Sequence, residues 1–124
     1  MKRRWVPALA LLTLSSCGGA AVSETSVALT EFSVAPVADR LKAGTVELSV
    51  SNSGEFSHTL VVSDNAGTVV AATALIDPGE TSRLSIDLQP GAYMFTCRIV
   101  GQTGTGEIVD HYQRGMVARV DVTS

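Results

Sequence analysis

The sequence predicts an all-β fold, a β-sandwich with Greek-key connections. Three observations point to it. Short segments alternate apolar and polar residues with period two. Turn signals separate these segments at close intervals. No long stretch carries the 3.6-residue period of a helix, and Val and Thr recur in short runs alongside 11 glycines, a composition suited to strands and tight turns.

The first alternating run is Val27-Ala28-Leu29-Thr30-Glu31-Phe32. The clearest is Thr45 to Ser51, which puts Val46, Leu48 and Val50 on one face. His58 to Val62 is more continuously apolar and reads as a buried strand. Ser82 to Leu88 alternates again, followed by Ala92 to Arg98. The last run, Met116 to Val122, sets Met116, Ala118, Val120 and Val122 on one face and turns Arg119 and Asp121 outward. Between the runs stand Ala43-Gly44, Asn52-Ser53-Gly54, Asn65-Ala66-Gly67, Asp77-Pro78-Gly79 and Gln89-Pro90-Gly91. Residues 68–76 fit a strand, a loop or a short helical turn.

The N-terminus reads as an export signal. Lys2, Arg3 and Arg4 form a basic start, and Trp5 to Leu14 is an apolar run broken by Pro7. That run is shorter than the roughly 20 residues a membrane-spanning helix needs and suits a cleaved signal peptide. Leu14-Ser15-Ser16-Cys17 resembles the bacterial lipobox. The resemblance implies cleavage before Cys17 and attachment of lipid to its sulfur, against the plainer reading of an ordinary signal with an incidental cysteine. The expected organisation is a signal peptide over 1–16, a lipidated Cys17 with a flexible tether through residue 25, and one domain over 26–124. The expected location is outside the cytoplasm, in the periplasm or at the cell surface.

Residues 17–124 are 108 in number, enough for one small domain with its own core. Three of the nine basic residues stand at positions 2–4, so this part keeps six basic against twelve acidic residues, a net charge of −6. An acidic surface argues against a nucleic-acid partner and against charge-driven binding to anionic lipid. Membrane association then rests on the lipid.

The candidate site is Cys97, His111 and Met116, with His58 upstream; these use both histidines of the chain. One thiolate, two imidazoles and a thioether form the donor set of a blue-copper electron-transfer site. With Cys17 lipidated, Cys97 has no disulfide partner in the chain, and a lone thiol in an oxidising compartment must be buried or metal-bound to escape oxidation. Taken singly, each residue has a plainer reading: Cys97 and Met116 as core, His58 as a hydrogen-bonded strand residue. Their conjunction is what points to a metal.

From about Val27 to Val122 the pattern resembles the cupredoxin family, the fold of plastocyanin and azurin. The matching stretches are Leu41-Lys42-Ala43-Gly44-Thr45-Val46, Asn52-Ser53-Gly54 with Phe56-Ser57-His58 behind it, Pro78-Gly79-Glu80-Thr81, Pro90-Gly91-Ala92-Tyr93-Met94-Phe95-Thr96-Cys97, and His111-Tyr112-Gln113-Arg114-Gly115-Met116-Val117. The resemblance implies a cupredoxin-type sandwich and one copper held by His58, Cys97, His111 and Met116. It also implies that the Thr59 N–H lies near the Cys97 sulfur and that Asn52 ties the neighbouring loops together. Met94, of opposite parity to Cys97, reads as packing.

In many members only a few residues separate the cysteine from the second histidine; here thirteen do, Arg98 to Asp110. Gln102 to Asp110 reads as an insert, made pliable by Gly104 and Gly106 and adjoining Gly101. It is expected to bulge as a mobile loop from the copper-bearing end and to shape partner choice.

The function so implied is a monomeric electron carrier, not an enzyme, working with redox proteins such as an oxidase, reductase or cytochrome. The alternative is an extracytoplasmic copper chaperone or buffer feeding an oxidase, although such proteins favour open Met- and His-rich sites. A nitrite reductase or multicopper oxidase would need further histidines and a second domain.

Overall fold

The computed structural model describes residues 20–124, so the signal peptide and Cys17 lie outside the described residues. Eleven strands and no helix form among them: β1 Glu24–Thr30, β2 Ser33–Pro36, β3 Arg40–Lys42, β4 Gly44–Asn52, β5 Val61–Asp64, β6 Val69–Ala72, β7 Thr81–Leu88, β8 Gly91–Thr96, β9 Val100–Gln102, β10 Ile108–Asp110 and β11 Val117–Thr123. One sheet runs β2-β1-β4-β7 and the other β3-β11-β8-β5-β6, with β9 and β10 paired as a separate hairpin. β1 pairs parallel with β4, and β3 parallel with β11. Each crossover carries the chain from one sheet to the other and closes a sandwich of the Greek-key kind.

The alternation expected of β4 holds: Val46, Leu48 and Val50 are buried while Thr45 and Glu47 face solvent. They meet Leu29, Leu41, Val62, Phe95 and Val120 from both sheets, all buried. The expected face of β11 is also inward, with Met116, Val120 and Val122 buried and Ala118 half-buried. Every anticipated turn signal falls between strands or takes in a strand's first or last residue.

Three segments differ from their sequence reading, and a fourth is decided among its alternatives. The first run ends as a strand at Thr30, and Glu31-Phe32 form the two-residue turn into β2, whose partner pair is Thr30 and Ser33. This turn has no Gly, Asn or Pro, so nothing in its residue types marked it. His58 does not lie in a continuous strand. It makes a two-bond bridge with Ile76, Thr73 pairs with Leu60, and regular pairing starts only at Val61. The ambiguous segment 68–76 contains strand β6 and no helical turn. β1 itself begins two residues before the expected domain boundary, and Val22 already pairs with Leu41, so residues 22–25 belong to the sheets rather than to a tether.

Phe95 is the largest fully buried side chain and stands two residues before Cys97. Phe95→Ala removes most of its volume from a close-packed interior, and such changes cost about 3–5 kcal/mol. Urea unfolding of the metal-free domain should show a loss of that order, whereas a loss below about 1 kcal/mol would mean that the core around Phe95 is loosely packed.

Candidate metal centre

His58, Cys97 and His111 meet at one end of the sandwich, each carried by a different segment and each held by its backbone. The His58 N–H donates to the Ile76 carbonyl at 3.0 Å, and its own carbonyl accepts from the Ile76 N–H at 2.8 Å. Buried Asn52 secures the loop leading to it: Nδ2 donates to the carbonyls of Phe56 (2.7 Å) and Ile76 (2.9 Å), and Oδ1 accepts from the Gly54 N–H at 2.9 Å. Cys97 follows β8 directly, and its N–H donates to the Met116 carbonyl at 3.2 Å. The His111 N–H donates to the Ile99 carbonyl at 3.0 Å, while its carbonyl accepts from the Met116 N–H at 3.1 Å. Met116 is thereby pinned between Cys97 and His111 at the start of β11, with its side chain fully buried.

A tight turn delivers His111. The Asp110 carboxylate accepts from the Gln113 N–H (3.1 Å), and its carbonyl accepts from the Arg114 N–H (3.1 Å). Gly115 closes the turn at φ 116°, and a Cβ there would stand 3.2 Å from the Phe32 carbonyl, so both conformation and space require glycine.

The three donor atoms form a compact triangle. His58 Nδ1 lies 3.2 Å from His111 Nδ1; Cys97 Sγ lies 4.0 Å from the first and 3.7 Å from the second. A point equidistant from all three lies about 2.1 Å from each, inside the ~2.0–2.3 Å span of metal–nitrogen and metal–sulfur bonds. His58 and Cys97 are fully buried and His111 is 5% exposed, so water has little access to the gap between them. His58 Nε2 stands 3.0 Å from Glu31 Oε1, a carboxylate oxygen that can only accept. An Nε2–H donating to that oxygen leaves the Nδ1 lone pair facing Cys97 and His111. Two imidazoles and one thiolate, with buried Met116 hydrogen-bonded through its backbone to Cys97 and His111, fit one copper ion per chain.

Over residues 5–109 the chain matches the family model described as a cupredoxin-like domain. It belongs to the cupredoxin-like family. The match stops two residues before His111, which the fold brings beside His58 and Cys97. Among solved structures, reduced auracyanin from the photosynthetic bacterium Roseiflexus castenholzii is 19% identical, with a TM-score of 0.63 over 85% of this chain and 100% of that one. A purple cupredoxin from Nitrosopumilus maritimus is 16% identical, with a TM-score of 0.55 over 79% of this chain and 98% of that one. The blue copper oxidase of Nitrosomonas europaea is 20% identical, with a TM-score of 0.55 over 80% of this chain but 38% of that one. At these identities the likeness is one of fold, shared by small cupredoxins and by part of an oxidase. No curated protein sequence matches the chain.

Two finer expectations for this cupredoxin hold. The Thr59 N–H donates to Cys97 Sγ at 3.5 Å, and Asn52 bridges the loops as described. Met94 is half-buried on β8, where it pairs with Arg119 on one side and Ser63 on the other. The expected pliable insert is instead a paired hairpin. Val100, Gly101 and Gln102 oppose Asp110, Val109 and Ile108, so pairing recruits two residues that had been read as part of the ordinary loop. The Thr103 N–H donates to the Glu107 carbonyl at 2.8 Å across the tip, and the Glu107 carboxylate binds Arg114 at 2.8 Å, tying the hairpin back to the His111 turn. Gly104 and Gly106 stand in the hairpin's turn, Gly106 at φ 87°, while Gly101 stands in β9.

Sequence reasoning missed Glu31 and Phe32. A Glu inside an alternating run reads as a solvent-facing strand residue, yet Glu31 reaches His58, and the Phe32 ring meets the His111 ring edge-on at 5.2 Å between centroids. Partial burial works against the charged form of Glu31. The N–H of Phe56, the His58 ring, its own backbone and the N–H of Glu55 outweigh this and hold its carboxyl below the ordinary range. Burial lowers the His111 pKa, and the nearby His58 lowers it further, with partial opposition from Glu31 and Asp110.

A lowered histidine pKa means that the unfolded metal-free chain takes up a proton before the folded one does. This contribution to stability is fully present above pH 6.5, the ordinary value, and is lost as pH falls below it. The urea midpoint of the metal-free protein should be lower at about pH 5.5 than at about pH 7.5, and His111→Gln should flatten that difference. Equal midpoints for the native chain at the two values would refute the assignment.

Proposed function

We propose that this cupredoxin is a type 1 copper electron carrier, exported from the cytoplasm and tethered to a membrane by lipid on Cys17. The observation that carries the electron-transfer reading is the buried triangle of His58 Nδ1, Cys97 Sγ and His111 Nδ1, with Met116 pinned beside it. Copper bound there supplies one-electron exchange between its Cu(I) and Cu(II) states. Cys97 acts as the thiolate donor, its charge steadied by the Thr59 N–H. His58 and His111 would hold copper through their imidazole nitrogens, and Met116 would add a weaker thioether sulfur that helps set the potential. The pairing of Cys97 and His111 with Met116 leaves the donors little freedom to rearrange, which keeps the cost of changing oxidation state low.

His111 borders a shallow apolar groove formed by Phe56, Ile99, Gly101 and Val109, with Val100 and Ile108 exposed on the neighbouring hairpin. A redox protein seated there comes close to His111, and the acidic character of the chain selects a basic rim on that partner. The site uses both histidines, leaving no imidazole for a second metal, and this favours a carrier over an oxidase or reductase. Lipid attachment rests on the Ser16-Cys17 junction after a basic and apolar start, and the chain works as a monomer outside the cytoplasm.

The domain from about Ser23 onward should bind one copper and, when oxidised, show an intense visible thiolate-to-copper band. Cys97→Ser should abolish the band without unfolding the domain. A colourless protein after Cu(II) loading, with Cys97 reduced, would remove the type 1 reading. Met116→Leu keeps nearly the same volume, so copper should stay bound while the potential rises; Met94→Leu should leave the potential alone. A carrier returns a reversible potential and fast self-exchange, whereas rapid loss of Cu(I) to a chelator would favour the chaperone role.

Deletion of Gln102–Ile108 leaves Val100-Gly101-Val109-Asp110, a four-residue turn across an existing strand pair. This variant should keep its visible band and its electron exchange with small inorganic reagents, and should lose rate with its protein partner. Loss of copper binding in a folded variant would instead make the hairpin part of the site's scaffold. Cys17→Ser should move the protein from the membrane fraction to the soluble fraction, and continued retention would point to an uncleaved anchor.

A further inference from the structure

The turn between β1 and β2 is unremarkable in sequence but heavily used in space. Glu31 Oε1 accepts three N–H groups: from Glu55 at 2.8 Å, from Phe56 at 2.7 Å and from His58 Nε2 at 3.0 Å. The first two belong to the loop that leads into His58, and the third belongs to the imidazole itself. His58 is fully buried, while the Glu31 side chain is 23% exposed, so the carboxylate plugs the outer side of the ring. Gly54 makes room for it, because a Cβ at residue 54 would overlap both oxygens of the Glu31 carboxylate. No other carboxylate or carbonyl contacts His58 Nε2 among the described residues.

We infer that Glu31 is a positioning residue of the copper site: it holds His58 as the Nε2–H tautomer and lends negative charge that favours Cu(II) over Cu(I). The inference rests on the copper reading above only in its second half. A neutral imidazole carries its proton on either nitrogen, and only the Nε2–H form presents a lone pair on Nδ1 toward Cys97 and His111. A carboxylate hydrogen-bonded to the remote N–H of a ligating histidine fixes that choice and raises the basicity of the ligand. The negative charge lies close to the site in a partly buried setting, where it stabilises the more highly charged oxidation state.

Two measurements test this separately. The first needs no metal: 15N-resolved NMR of the histidine rings in the metal-free protein at neutral pH. The native chain should show His58 as the Nε2–H tautomer. Glu31→Ala should show a mixture or the opposite tautomer. Gly54→Ala should act the same way by pushing the carboxylate off the ring, although no charge has been removed. An Nδ1–H tautomer in the native chain, or an unchanged tautomer in both folded variants, overturns the positioning role.

The second measurement is the potential of the copper-loaded protein. Glu31→Gln keeps an oxygen that can accept the same three bonds but removes the charge. Its preference for Cu(II) over Cu(I) should fall about tenfold, a rise of about 59 mV for one electron, with the visible band nearly unmoved. Glu31→Ala should in addition weaken copper binding by roughly 10–100-fold, and Glu31→Gln should restore most of that loss. A potential unchanged in Glu31→Gln overturns the charge effect. If the native chain itself forms no thiolate-to-copper band, the copper reading fails, while the tautomer result still decides the positioning role.

Discussion

The constraint on which this end of the molecule depends is that three lone-pair donors must face one another within 4.0 Å in a buried space. Left alone, such groups would hydrogen-bond to water or to each other in whatever tautomer was convenient. Here each is fixed from behind. Cys97 is held through its backbone to Met116, and its sulfur accepts from Thr59. His111 is held by Ile99 and Met116 on the main chain and by Phe32 at its ring edge. His58 is held by its bridge to Ile76 and by Glu31 on its remote nitrogen. A donor set organised before metal arrives does not spend binding energy on ordering side chains, and its geometry resists change when the metal changes oxidation state.

The sandwich supplies this organisation by placing strand ends, rather than strand middles, at the site. β8 ends at Thr96 and β11 begins at Val117, so Cys97 and Met116 are neighbours just past the last rung of the β8–β11 ladder. The long loop after β4 brings His58 across, with Asn52 as its tie. The β1–β2 turn lies where these loops meet, and its two residues touch one imidazole each. The same two layers that bury Phe95 and Leu48 thus set the spacing of the donors.

The hairpin of β9 and β10 lies between Cys97 and His111 in the chain and stands beside the His111 edge. It lengthens the path from Cys97 to His111 without loosening it, because its pairing ends at Val100 and Asp110 and the next contact joins Ile99 to His111. The chain thus reaches His111 from a position close to where the hairpin departed. The apolar residues of the hairpin and Phe56 flank the His111 edge.

Local pattern in the chain was enough to determine the fold class, the buried face of β4, the inward run of Met116, Val120 and Val122, and the turn positions, because period-two alternation and Gly- or Pro-marked turns are local properties. It was also enough to nominate His58, Cys97, His111 and Met116, since their residue types are scarce in this chain and appear in a spacing that resembles a known family. It misread Gln102 to Asp110 as a slack loop, because glycines mark a hairpin turn and a pliable segment alike. It gave no hint of Glu31 or Phe32. Their importance comes from residues 24 or more positions away along the chain, and a carboxylate within an alternating run looks the same whether it faces water or a buried imidazole. Only the tertiary structure decided which nitrogen of His58 faces the site, because that choice depends on what stands behind the ring, and folding brings Glu31 there from 27 residues earlier in the chain.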